Sequence, residues 1–156
     1  MEMIKKYGIK VLCVIALIAL FLPMAKVTLT SDYIDAETSL SGLTVALKGY
    51  ICMLLIVGPV AIIAADYIAK VKRLKALVQA GVAVIGIALT FVGYLQASKI
   101  AAAGQAAGMG YVDCEASLGI GGILCIAAYI GILAMTLLFQ KEELQENVQA
   151  VKETTK

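Results

Sequence analysis

Four stretches of the sequence, 8–25, 49–68, 76–95 and 118–139, run almost without charge; Lys10 and Asp66, both near stretch ends, are the exceptions. Apolar runs of that kind leave few options. A hydrocarbon layer of about 30 Å is crossed by roughly 20 helical residues, and within it only a structure that satisfies its own backbone survives. A charged residue at a span end reaches the interface along its own stem, so neither exception breaks its run. With 62% hydrophobic residues and a mean hydropathy of +0.94, the chain is expected to be an all-α integral membrane protein. The fold expected is a four-helix transmembrane bundle, one domain over residues 1–156, with outer loops at 26–48 and 96–117 and a tail at 140–156.

Lys5 and Lys6 ahead of an apolar run have the shape of a signal peptide, but Pro23 stands where a small residue is wanted for cleavage. A retained first helix is the better reading. Lys5, Lys6 and Lys10 precede the first run, and Lys70, Lys72, Arg73 and Lys75 fill the link between the second and third; Lys26, Lys48 and Lys99 lie in the other connections. That bias predicts a plasma-membrane protein with both termini in the cytoplasm. The first outer loop contains KVTLT, residues 26–30, which alternates as a short strand does. Residues 96–110, rich in Ala and Gly, read as a mobile connector or frayed helix.

The octapeptide YIDAETSL at 33–40 returns as YVDCEASL at 111–118. Each copy is expected in an outer loop just before an inward-running helix, which suggests two tandem helical hairpins related by an axis along the membrane normal. Asp35 and Glu37 are two residues apart, as are Asp113 and Glu115; on an extended segment each pair shares one face. One expectation is local: the carboxylates sit near a helix N-terminus, with Ser39 or Ser117 as N-cap. The other brings the four carboxylates together at the outer mouth of the bundle, where they attract a cation or hold Ca²⁺.

Few polar groups lie inside the runs. Gln79, Thr90 and Thr136 are the notable ones, and Asp66 stands four residues before Lys70, the spacing of a helical ion pair. Ser117, Gly121, Cys125 and Ala128 mark a small-residue face on the last helix, of the kind that lets helices approach closely in lipid. Gly58-Pro59 predicts a kink. Cys13, Cys52 and Cys125 fall within runs, and Cys114 alone is expected outside. With no His in the chain the commonest metal ligand and general base is missing, and no nucleophile–base set or metal spacing appears. The chain is read as non-enzymatic and without cofactors. A net charge of +2 without a clustered basic face excludes a nucleic-acid partner.

The expected topology, four helices with inner termini and a strand-like first outer loop, is similar to that of claudin-like membrane proteins. Of their first-loop signature, a Trp, a Gly-Leu-Trp and two Cys, only Ser41-Gly42-Leu43 matches in part, and the chain contains no Trp. The function expected is assembly: a subunit that binds a second copy or another membrane protein and displays the acidic repeats outward. The alternative is an oligomeric, cation-permeable channel or transport subunit with those carboxylates at its outer mouth.

Overall fold

The computed structural model describes residues 2–48, 53–65, 67–68, 74–108 and 111–155. The elements are α1 (Glu2–Ala19), β1 (Pro23–Ser31), β2 (Asp35–Ser41), α2 (Gly42–Lys48), α3 (Leu54–Ala65), α4 (Lys75–Ala107), β3 (Val112–Leu118), α5 (Ile120–Phe139) and α6 (Lys141–Thr154). This corrects the all-α expectation and the four-helix transmembrane bundle of two tandem hairpins. Six helices among the described residues accompany a three-stranded antiparallel sheet ordered β2-β1-β3. Two of them, α4 and α5, are long and apolar enough to cross a membrane, whereas Tyr7–Ala19 of α1 and Leu54–Ala65 of α3 are shorter.

Pro23 is the local reason the first run falls short. The residue before a proline is pushed out of the helical region. The N–H groups of Leu20, Phe21 and Leu22 turn back to the carbonyls of Leu17, Ile18 and Ala19 at 3.2, 3.0 and 3.2 Å, the tighter winding that ends many helices. Residues 20–25, as apolar as the helix before them, are therefore turn and strand. KVTLT lies within β1 as an extended segment. Parts of 49–68, together with Cys52, Asp66 and Lys70, lie outside the described residues.

Residues 96–107, part of the stretch expected as a mobile connector or frayed helix, continue α4 without a break. Ala is the best helix former, and a buried stripe of Ala76, Gln79, Ala83, Gly86, Thr90, Gly93, Ala97 and Ala101 runs the helix at steps of three and four residues. At 1.5 Å per residue, 33 residues make a rod of about 50 Å, some 20 Å more than a hydrocarbon layer needs. The stripe packs on α5 along its first part, where Gly86 faces the Tyr129 ring. Beyond that, Ala97 and Ala101 pack under Ala25 and Val27 of the sheet.

α1 and α5 run antiparallel. Gly8 meets Met135, Gly131 meets Leu12, and Gly121 meets the Ala19 and Leu22 carbonyls. The sheet thus stands at one end of the helices, and the start of α1, the end of α5 and α6 gather at the other. Leucine in place of Ala101, which is 4% exposed, should overpack the joint between α4 and the sheet at a cost of about 1–3 kcal/mol. Amide exchange should quicken in β1 and β3 while the α1–α5 contact stays protected; unchanged exchange in β1 would contradict this packing.

Candidate functional site: an acidic sheet face

The two copies of the octapeptide do not open two hairpins. They flank one shared strand in the same register. Thr30 of β1 stands opposite Asp35 on one side and Asp113 on the other, Thr28 opposite Glu37 and Glu115, and Lys26 opposite Ser39 and Ser117. Directly opposed residues share a face of the sheet. One face is therefore a grid, with Thr30, Thr28 and Lys26 along the middle and matching Asp, Glu and Ser on both flanks. The other carries Ala25, Val27 and Leu29 with Ala36, Thr38 and Leu40 on one side and Cys114, Ala116 and Leu118 on the other.

Burial follows that division on β3, where exposed Asp113, Glu115 and Ser117 alternate with half-buried neighbours. Cys114 is half-buried and free, its sulfur close to Gly104 of α4. β2 differs: Asp35 through Ser39 are exposed on both faces. The hairpin before β2 is closed by Ser31, whose N–H donates to the Ile34 carbonyl at 3.2 Å. Its Oγ accepts the N–H groups of Tyr33 and Ile34, each at 3.3 Å. Tyr33 and Tyr111 precede their strands at the end of the sheet away from α1 and α5, 95% and 84% exposed, and the Tyr111 N–H donates to the carbonyl of Gly108, just past α4, at 3.0 Å.

With strands about 4.8 Å apart, the two flanking carboxylate pairs are separated by roughly 9.6 Å at Cα. That exceeds the physiological Debye length of about 8 Å, so water and salt screen most of the repulsion between the flanks. The same spacing is too wide for one ion: among the described residues no group of three or more His, Cys, Asp or Glu is placed to hold a metal. The carboxylates lie on strands, away from any helix start. α2 and α5 begin at Gly42 and Ile120 without an acid in the first turn. Ser39 and Ser117 cap neither helix. Ser41 Oγ accepts the Thr44 N–H at 3.3 Å, and Gly119 precedes α5 without a side-chain cap.

The small-residue face on α5 is used within the chain. Gly121, Cys125 and Ala128 are buried, the Cys125 thiol points to the Ala16 carbonyl at 3.9 Å, and Ser117 is exposed on β3. Tyr129, which the sequence reading passed over, joins three helices. Its ring covers Gly86, and its hydroxyl donates to the Leu55 carbonyl at 3.3 Å. Pro59 explains the second contact: it has no N–H to give the carbonyl four residues back. A Pro in one apolar helix and a Tyr amid small residues in another were the available signals. Thr90 and Thr136 return their hydroxyls to the carbonyls of Gly86 and Ile132, both at 2.8 Å, and buried Gln79 finds no partner for its Oε1 among the described residues.

Fold and site together define a small helical protein, with two helices able to span a membrane, that carries a twice-repeated acidic sheet at one end. Compared with known proteins, the chain matches no family model, no curated protein and no solved structure.

Proposed function

We propose that the chain is a non-enzymatic integral membrane protein of assembly, holding its acidic sheet outside the bilayer as a platform for another membrane protein. One observation carries this reading. In the most apolar windows of α4 and α5 only 39% and 33% of residues are buried. Val84, Ile85, Phe91, Ile123 and Ile130 point outward, while Gly86, Thr90, Gly121 and Thr136 are inside. Water does not tolerate so large an exposed apolar surface; lipid does. In lipid, helices associate through small residues. The basic residues Lys5, Lys6 and Lys10 of α1 and Lys75 at the start of α4 support a cytoplasmic placement of the end opposite the sheet.

A membrane-impermeant maleimide tests the topology on intact cells, in a chain whose own Cys residues, Cys114 of the sheet included, are replaced by Ala. Ser39→Cys should label and Gln149→Cys should not; the reverse pattern would sink the orientation. Assembly is tested by particle mass after mild solubilisation from the source membrane. The chain should travel in a complex heavier than its own 16.4 kDa plus detergent. The variant Asp35→Asn, Glu37→Gln, Asp113→Asn, Glu115→Gln should travel in a lighter one. A single-chain particle in both samples would contradict the role.

A further inference from the structure

The repeat gives the sheet an unusual edge. In an extended strand the N–H and C=O of one residue point to one side and those of the next to the other. Ser31 bonds Ile34 on the β2 side, whereas Met24 accepts from Gly119 on the β3 side. Odd residues of β1 therefore bond β2, and even residues bond β3. It follows that Asp113, Glu115 and Ser117 turn their backbone groups inward to β1. Their counterparts Asp35, Glu37 and Ser39, in the same register across the same strand, turn theirs outward. Among the described residues no strand pairs with the outer edge of β2, and that edge repeats the one by which β3 holds β1.

We propose that this edge accepts an extended strand of another polypeptide, added antiparallel in the register that β1 adopts on β3. The chemistry of the incoming segment follows from β1 itself: hydroxyl residues opposite Asp35 and Glu37, a basic residue opposite Ser39, and branched apolar residues between. A second copy of this chain is a poor occupant. Antiparallel β2-to-β2 pairing about Glu37 sets Glu37 against Glu37, and like charges directly opposite are destabilising. Pairing about Thr38, the middle of β2, sets Ser39 against Glu37 and brings no basic residue to the edge, and acidic edges of this kind oppose self-association. β2 is also bare on the face where Ala36 and Thr38 lie, leaving room for the added strand. Backbone pairing of this type supplies affinity while alternate side chains set specificity. The proposal rests on the sheet being a partner platform, and it names the mode of binding.

The probe is a capped peptide of β1's own sequence, residues 25–31 (AKVTLTS), added to the full chain in nanodiscs while amide exchange is followed. Exchange at Asp35, Glu37 and Ser39 should slow, and at no other residue of β2 to the same degree. N-methylation at the peptide position of Thr28, whose N–H would face β2, should weaken binding about fivefold for each bond blocked. N-methylation at Leu29 should not. Glu37→Pro removes an outward N–H that the folded sheet does not use, a change edge strands tolerate, and should abolish the protection. Peptide bound without slowed exchange, or bound equally when methylated at Thr28, would overturn edge addition and leave the acidic platform standing. Absence of binding by the unmethylated peptide would overturn edge addition as well.

Discussion

Tyr129→Ala should be among the most damaging single changes in the chain, lowering unfolding free energy by about 3–5 kcal/mol, the usual range for removing a buried aromatic ring. The ring covers Gly86, and the hydroxyl serves a carbonyl that Pro59 leaves without its helical donor. The two contributions can be separated. Tyr129→Phe keeps the ring and strands the Leu55 carbonyl, a loss of about 1–3 kcal/mol for an unsatisfied buried acceptor. With Pro59→Ala in the background, the N–H at position 59 can take that carbonyl, so the cost of Tyr129→Phe should largely vanish. Denaturant unfolding of the four proteins in matched micelles gives the coupling. Strict additivity would mean that the hydroxyl and the proline are unrelated.

Gly121→Leu comes next. A Cβ there would lie 2.7 Å from both the Ala19 and Leu22 carbonyl oxygens, and backbone atoms at a helix end cannot swing aside as a side-chain tip can. The expected loss is about 3 kcal/mol or more, the upper end for overpacking. The sheet should loosen with the helices, because the neighbouring Gly119 N–H bonds Met24 of β1 at 2.9 Å. Gly81→Ala is the control: nothing among the described residues lies within 4 Å of its Cβ position. A helix interior should gain about 0.5–1 kcal/mol from the exchange. Equal effects at the two glycines would mean that α5 does not seat on the turn after α1.

The apolar character of the chain was legible in its composition, but where each helix ends was not. Hydropathy treats residues 20–25 as one with 8–19 because it weighs side chains. It is a backbone restriction at Pro23 that turns the chain into β1. At the other extreme, residues 96–107 looked loose because Ala and Gly are common in linkers. The three-and-four spacing of Ala76 through Ala101, followed past Leu95, would have carried the helix to the sheet. The repeat was visible as a repeat, and its alternation correctly marked Asp and Glu as sharing a face. What remained hidden was non-local: that both copies bond the same strand follows from register across the fold, and no periodicity within eight residues records it. The small face of α5 was legible as a contact surface, while its partner was not. Cys13, Ala16 and Ala19 of α1 occupy it, and the apolar side chains on the outward faces of α4 and α5 stay exposed.

That division between lipid-facing helices and a water-facing sheet is the central claim, and spin-label accessibility measures it directly. Nitroxides placed singly at Val84, Ile123 and Ile130 on the helices, and at Thr38 and Glu115 on the sheet, are compared in liposomes for collision with oxygen and with a water-soluble nickel chelate. The helix positions should be relaxed by oxygen and shielded from nickel, and the sheet positions should show the opposite. Nickel reaching Ile123 and Val84 as readily as Thr38 would contradict a membrane-embedded fold.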